Sequence, residues 1–278
     1  MGNTGYDNIL LLTAGFIIGT LGTLIGAGGG FILVPVLILA QPELSPEIIT
    51  AISIAIVAAN AVSGSVAYAR SGRIDFKAGL VFTLAALPGS VLGVYSTAWI
   101  PQKLFHIFFG LLLIVLSVLL FIKKNTAPAY TMPAPLRKGW KHHILTDKEG
   151  ITYEYAYNQN KGIFISAIVG YLSPLLGIGG GIIHVPALAN WLRFPVHIAT
   201  ATSHFILAIM SVVSVVVHAL KGNYSNPFVL HMVLMLGIGV VIGAQVGALL
   251  SHKIQGNKII RALAICLAIV GLRILLES

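Results

Sequence analysis

The chain has 278 residues, of which 57% are hydrophobic and only 9% carry charge. Soluble domains carry about 25% charged residues, so this chain lacks the polar side chains that a water-facing surface needs and is predicted to be an integral membrane protein. Its net charge of +9 is attributed to loops that orient the helices and not to a nucleic-acid partner. Cys266 is the single cysteine, which excludes an internal disulfide.

Apolar runs, taken in chain order, predict an all-α membrane fold of about ten helical segments. A spanning helix needs about 20 apolar residues, and the runs 31–40 and 182–192 are too short to span a bilayer alone. The other runs are 9–26, 48–69, 78–100, 102–122, 163–177, 197–220, 227–250 and 259–276. The chain therefore divides into a first transmembrane repeat (1–123), a connector (124–160) and a second transmembrane repeat (161–278).

The connector is the one long polar stretch, and its second part predicts a small cytoplasmic β-hairpin. Strands are predicted over 142–145 and 151–157, where period-2 spacing puts Tyr153, Tyr155 and Tyr157 on one face. Because an isolated two-stranded hairpin is marginally stable, the hairpin is expected to pack on the membrane domain. A plain connection is its favoured role, and regulation of the protein is the alternative.

Two matching glycine-rich stretches lie inside long apolar runs. Residues 26–35 read GAGGGFILVP, and residues 177–186 read GIGGGIIHVP. Glycine costs about 1 kcal/mol relative to alanine inside a helix and proline about 3 kcal/mol, so both helices are predicted to break near the bilayer midplane. Irregular backbone at that depth is tolerated only where it is buried in protein or lines a water-filled cavity. Broken helices in corresponding positions of two halves are typical of a transporter's substrate site.

The two halves match at several other positions, at offsets of 150–151 residues. Each half holds five segments and therefore begins and ends on opposite sides of the membrane, which predicts two inverted-topology repeats. The distribution of Lys and Arg places the connector in the cytoplasm and both termini outside. An acidic turn at Glu43 and Glu47 also falls outside, as do the lone Lys103 and Lys221. Matched pairs include Gly15 with Ser166, Gly22 with Ser173, Thr50 with Thr200, Ser53 with Ser203, Tyr68 with His218 and Gly93 with Gly243.

The helices that begin at the two breaks give the candidate substrate site. The first N–H groups of a helix have no intrahelical partner, and the helix dipole adds roughly half a positive charge at that end. Glycines let a ligand approach these N–H groups closely, so two such ends form an anion site without a buried Lys or Arg. The alternative is that the glycines only permit close helix crossing. The candidate glycines are Gly28, Gly29, Gly30, Gly179, Gly180 and Gly181.

Polar side chains near the breaks complete the predicted site. A polar stripe in a spanning helix faces another helix or a pathway, because exposing it to lipid is costly. Asn60 and His204 are the stronger candidates because they are larger, whereas each serine or threonine is as readily explained by packing. His184 lies beside the second break and is a candidate for substrate contact or proton exchange. The full set beyond the glycines is Thr23, Ser53, Asn60, His184, Ser203 and His204.

Charged and catalytic side chains are scarce in the predicted spans. The Asp and Glu residues, 8 in all, fall in loops or at termini, so a cation would lack a counter-charge and an anion is favoured. No H-E-x-x-H or C-x-x-C spacing indicates a metal site, and neither glycine stretch is a dinucleotide fingerprint or a P-loop. No metal, cofactor or enzymatic activity is therefore predicted, and an intramembrane enzyme ranks last. G-x-x-x-G spacings in 89–93 and 239–247 predict close helix crossings, within the monomer or in a homodimer.

These motifs together suggest a family. The paired stretches 26–35 and 177–186, each followed by a Thr-Ala-x-Ser sequence (50–53 and 200–203), resemble the TauE/SafE family of sulfite exporters. The resemblance covers nearly the whole chain outside 123–161. It implies a plasma-membrane protein that exports a small sulfur-containing anion, such as sulfite or an organosulfonate.

Alternating access is the expected mechanism, with one half rocking against the other. The alternatives are an anion channel and a carrier for another small organic anion.

Overall fold

The structure is a computed structural model that describes residues 4–122, 140–251 and 257–277. The described residues form ten α-helices and one two-stranded antiparallel sheet, which confirms the predicted helical fold with its small hairpin. In chain order the elements are α1 (Thr4–Ile25), α2 (Gly30–Ala40), α3 (Pro46–Arg70), α4 (Phe76–Thr97), α5 (Gln102–Ile122), β1 (Trp140–Thr146), β2 (Thr152–Asn158), α6 (Gln159–Leu176), α7 (Gly181–Pro186), α8 (Val196–Leu220), α9 (Pro227–Leu250) and α10 (Asn257–Glu277).

Six helices of the described residues are long and apolar enough to cross a membrane, namely α1, α3, α4, α5, α8 and α9. Helix ends lie close to their predicted positions because they carry recognisable caps. Ser45 accepts a hydrogen bond from the Ile48 N–H and Asp75 accepts one from the Ala78 N–H, which begins α3 and α4 respectively. Asn158 caps α6 in the same way, so this helix begins inside the predicted connector.

The segment predicted over 182–192 differs from a plain short helix. α7 ends at Pro186 and continues as one π-helical turn over Ala187–Trp191, where the Leu192 N–H donates to the Ala187 carbonyl at 3.1 Å. Pro186 has no N–H to donate, which interrupts the regular ladder. Such turns occur frequently at functional positions.

The two halves of the chain exchange their first helices. α1 packs along α9 of the second half, and α6 packs along α4 of the first half. At the centre α3 crosses α8, and α5 lies beside α10. The repeat offset relates the α1–α9 pair to the α6–α4 pair, and it relates the α3–α8 and α5–α10 pairs to themselves. This is the pattern that a pseudo-two-fold relation between the halves requires.

Glycines make the exchanged contacts close. A methyl group on Gly15 or Gly19 of α1 would overlap a backbone carbonyl of α9, and the reverse holds for Gly239 and Gly243. The predicted G-x-x-x-G seams are thus helix crossings within the monomer. Each half therefore supplies a helix to the packing of the other.

The hairpin packs on the membrane domain, as expected. The rings of Tyr155 and Tyr157 lie 4.7 and 4.8 Å from the ring of Phe194. At the hairpin turn, Arg73 Nε donates to Asp147 Oδ2 at 3.1 Å. Burial opposes ionisation of Asp147, but hydrogen bonds, first from the Ile151 N–H and then from Arg73, outweigh it and hold the pKa of this carboxyl below its usual range. The first part of the connector, 124–139, lies outside the described residues.

Candidate functional site

Both predicted helix breaks are present, and they have the same backbone geometry. In the first break Gly26, Gly28 and Gly29 have φ angles of +82°, +78° and +84°. In the second break the equivalent glycines, Gly177, Gly179 and Gly180, have φ angles of +68°, +78° and +62°. Only glycine adopts this region without steric cost. The glycines at these positions are therefore required by the backbone path itself.

The two breaks lie against each other at the centre of the protein. A methyl group on Gly30 would overlap the Gly177 carbonyl oxygen, and one on Gly181 would overlap the Gly26 carbonyl oxygen. The contacts are reciprocal, as a two-fold relation predicts. The structure therefore satisfies the first requirement of a shared site, which is that the breaks meet.

Helix N-terminal amides are concentrated at this contact. The Leu33 N–H donates to Gly29 O at 3.2 Å and the His184 N–H donates to Gly180 O at 2.8 Å, so each break glycine caps a new helix. Among the described residues the N–H groups of Gly30 and Phe31 have no hydrogen-bond acceptor, and neither do those of Gly29, Gly180 and Ile182. Unpaired amides and the positive ends of two helices give the region a positive potential without a charged side chain.

Predicted side chains form one connected network beside the first break. Thr23 Oγ1 donates to Asn60 Oδ1 at 2.8 Å, and Asn60 Nδ2 donates to the Gly19 carbonyl at 2.9 Å. His204 Nε2 lies 3.2 Å from the same Asn60 Oδ1. The network joins α1, α3 and α8, and each of its side chains is buried. The Nδ1 atom of His204 makes no hydrogen bond among the described residues, and the ring also lies close to the Gly26 backbone.

The other predicted residues are buried but lie outside that network. Ser53 Oγ donates to the Gly177 carbonyl at 2.5 Å and so ties α3 to the second break. Ser203, its equivalent on α8, has no hydrogen-bond partner in the described part of the chain. His184 Nε2 lies 2.9 Å from Ser166 Oγ on α6, while its Nδ1 is unpartnered among the described residues. His184 is therefore turned toward α6 and contacts none of the Thr23–Asn60–His204 network.

Two apolar residues that the sequence did not single out occupy the centre of the site. A methyl group on Gly28, Gly30 or Gly179 would come within 3.0 Å of a methyl carbon of Val57, so both breaks close around this side chain. Leu207, which lies 150 residues later, contacts Gly28 from α8. Both side chains are fully buried. The sequence feature that could have identified these two residues is the repeat offset, which makes Val57 and Leu207 equivalent.

Charged residues lie at the helix ends, although not as isolated charges. Glu47 in the first turn of α3 pairs with Lys221 at the end of α8, so Lys221 is not a lone charge. Asp75 at the start of α4 is fully buried and accepts a hydrogen bond from Tyr155 Oη at 2.7 Å. His143 Nδ1 lies 2.7 Å from the same carboxylate oxygen. Nothing in the sequence predicted this contact between the hairpin and α4, because the partners are distant in the chain.

This architecture defines a multi-pass membrane transport protein: six candidate spans enclose two broken helices whose amide-rich ends meet in a buried, uncharged centre. The family model described as Sulfite exporter TauE/SafE matches residues 11–274. The chain belongs to the TauE/SafE family, as the sequence motifs indicated. This is a family of transporters, whose partners are a small-molecule substrate and the membrane lipid.

Curated relatives agree with this membership. The chain is 31% identical over 278 residues to "Probable membrane transporter protein YunE" of Bacillus subtilis, covering 97% of this chain and 98% of the relative. It is 26% identical over 280 residues to "Probable membrane transporter protein MJ0441" of Methanocaldococcus jannaschii, covering 96% and 95% of the two chains. No solved structure matches this chain.

Proposed function

We propose that this chain exports a small sulfur-containing anion, sulfite or an organosulfonate, across the plasma membrane by alternating access. The anion binds between the two breaks, where the unpaired amides of Gly29, Gly30 and Gly180 donate hydrogen bonds to its oxygen atoms. Gly28 and Gly181 shape the breaks but donate their own N–H groups to the Gly22 and Gly179 carbonyls. The observation that carries the proposal is the reciprocal contact of the breaks, which brings two helix N-termini to one place. The sulfur chemistry rests on membership of the TauE/SafE family.

The polar network gives the proposed site its selectivity. Hydrogen bonds from Thr23 to Asn60, from Asn60 to the Gly19 carbonyl and from Ser53 to the Gly177 carbonyl fix the polar groups around the breaks. Ser203 and the Nδ1 atom of His204 complete the pocket by hydrogen bonding to the substrate, whereas His184 faces Ser166 on α6 and takes no part in it. A neutral site of this kind accepts an oxyanion through dipoles and does not bind it as tightly as a buried Arg would, which suits release on the other side.

The moving units are two exchanged bundles and not the two halves of the sequence. One bundle contains α1, α3 and α9, and the other contains α4, α6 and α8. The α1–α9 and α4–α6 contacts are glycine seams too close to slide, whereas α3 and α8 cross at the site. In this proposal the connector lies in the cytoplasm and both termini lie outside, so that opening alternates between those sides.

Reconstitution into liposomes with labelled anions tests the substrate assignment. We expect saturable flux of sulfite or a sulfonate, and little flux of carboxylates of similar size. Gly29→Leu and Gly180→Leu should abolish that flux. Gly237→Leu is the matched control, because Gly237 is on a spanning helix and a methyl group there would meet a single atom within 4 Å, Ile56 Cδ1 at 3.9 Å. Flux that survives in both site variants would contradict the site, and non-saturable flux would favour an anion channel.

Cross-linking tests the moving units separately from the substrate. His231 Nε2 on α9 lies 2.7 Å from Asn8 Oδ1 on α1, within one bundle. Glu47 and Lys221 pair across the two bundles. After replacement of Cys266 by Ser, cysteines at 8 and 231 joined by a thiol cross-linker should leave transport intact. Cysteines at 47 and 221 joined by the same reagent should stop it, and the reverse result would exclude the exchanged bundles as the moving units.

A further inference from the structure

An open groove lies at the connector end of α6, away from the central site. Its volume is about 710 Å³, and it is lined by Asn160, Lys161, Phe164, Asn190, Trp191 and Arg193. Phe164 and Trp191 are 68% and 66% exposed. Phe164 lies in the second turn of α6 and Trp191 at the end of the π-helical turn, both at the connector end of the membrane domain, and we place this end at the membrane–water boundary. Aromatic residues are enriched at that level of membrane proteins.

The groove is positively charged. Lys161 and Arg193 form no ion pair with a carboxylate among the described residues. Lys161 lies in the first turn of α6, so the positive end of that helix dipole adds to its charge. The amide of Asn160 supplies a neutral hydrogen-bond donor beside the two cations. Asn190 Nδ2 donates one hydrogen to the Pro186 carbonyl at 2.9 Å, which leaves its second hydrogen for a ligand. These groups together match a phosphate group.

The backbone holds Arg193 in the groove at some steric cost. Arg193 is the one non-glycine residue of the described chain in the left-handed region, with φ of 62°. The next residue, Phe194, is fully buried against the hairpin tyrosines, which fixes this turn. The guanidinium carbon lies 5.9 Å from the centroid of the Trp140 ring. The side chain is thereby positioned by the hairpin on one side and by the π-helical turn on the other.

We propose that this groove binds the headgroup of an anionic phospholipid in the leaflet on the connector side. Lys161 and Arg193 bind the phosphate, the two asparagines bind headgroup oxygens, and Phe164 and Trp191 pack on the glycerol and first acyl carbons. The exposed aromatic residues decide for a lipid over a soluble phosphate, because a soluble ion gains nothing from them. The site is separate from the proposed anion pathway and does not depend on it.

Trp191 supplies its own reporter. In a protein carrying Trp99→Phe and Trp140→Phe, Trp191 is the only remaining tryptophan of the three. Reconstituted into phosphatidylcholine, this protein is titrated with brominated phosphatidylglycerol or brominated phosphatidylcholine, which quench nearby tryptophan. Each cation near an anionic surface contributes about a five-fold preference, so two contribute about 30-fold. We therefore expect half-maximal quenching at a mole fraction of the anionic lipid about 30-fold lower than that of the neutral lipid.

Charge removal then separates the groove from the general basic character of this face. Lys161→Gln with Arg193→Gln should remove the preference, and Lys161→Gln alone should reduce it by about five-fold. Arg70→Gln with Lys77→Gln is the matched control, because these exposed cations lie at the same face but outside the groove. Equal quenching by both lipids in the parent, or equal loss in the control, would overturn the proposal. Relief of quenching by millimolar inorganic phosphate would assign the groove to a soluble anion.

Discussion

Gly180→Ala is the sharpest single test of the proposed anion site. Gly180 caps α7 with φ of +62°, and its carbonyl accepts the His184 N–H. An alanine there occupies the left-handed region at a cost of about 1–2 kcal/mol. Its methyl group would also lie 3.0 Å from Ser173 Cβ and from Val169 Cγ1, so the break must shift by a few tenths of an ångström.

Transport should suffer more than stability from this change. A hydrogen bond to a charged group is worth about 1.5–3 kcal/mol. If the shift removes one such bond between an amide and the anion, the apparent affinity falls by about 10- to 100-fold. The folded protein bears only the backbone cost and a modest contact strain. We therefore expect a small drop in the thermal unfolding temperature together with a large rise in KM for labelled anion flux.

Gly150→Ala is the matched control for the backbone cost. Gly150 has φ of +82° at the hairpin turn, and a methyl group there meets nothing within 4 Å. The stability cost should be of the same order as at Gly180, whereas transport should be unchanged. The reasoning is refuted if Gly180→Ala transports with the wild-type KM, or if both variants lose transport equally, since strain alone would then explain the effect.

Three further outcomes are expected. Gly239→Ala should lower the unfolding temperature because its methyl group overlaps an α1 carbonyl, whereas Gly237→Ala on the same helix should leave it unchanged or raise it; equal effects would contradict the seam. Asn60→Leu should cost about 1–3 kcal/mol of stability. The cost of Asn60→Leu combined with Thr23→Val should be about 1 kcal/mol smaller than the sum of the single costs, because both changes remove one shared hydrogen bond. Fully additive costs would argue against this hydrogen bond. Because the folded pKa of Asp147 is depressed, its stabilisation of the hairpin is complete above the usual carboxyl pKa and is lost as pH falls through the folded value. Protease protection of the hairpin should therefore decline in acid in the wild type, and in Asp147→Asn it should already be reduced at neutral pH. Identical pH profiles of the two proteins would show that this carboxylate does not hold the hairpin.

The sequence predicted the helices and the breaks well because both depend on local chemistry. Runs of apolar residues set the spans. Clustered glycines set the predicted helix ends at Gly26 and Gly177, and in the structure α1 and α6 end one residue earlier, at Ile25 and Leu176. The repeat offset also identified Ser53 and Ser203 as equivalents. These inferences needed only nearest-neighbour preferences and internal symmetry.

Contacts between distant residues escaped the sequence. No local pattern shows that Asp75 meets Tyr155 and His143, because the hairpin reaches α4 only after the whole chain has folded. The same holds for the exchange of α1 and α6 between the halves, which depends on which glycine seams fit together. His184 was placed near the site by sequence spacing, but the side chain turns to Ser166 because that hydroxyl is its available partner.

The reciprocal contact of the breaks has a mechanical consequence. Gly30 lies against the Gly177 carbonyl and Gly181 lies against the Gly26 carbonyl, so movement of one break relative to the other must separate these contacts. Ser53 adds a third connection, from α3 to the second break. In the proposed cycle the breaks, which close around Val57, part and reclose for each anion, whereas a channel would need a gap that stays open. In the proposed carrier, Val57 and Leu207 are the side chains whose displacement opens the site.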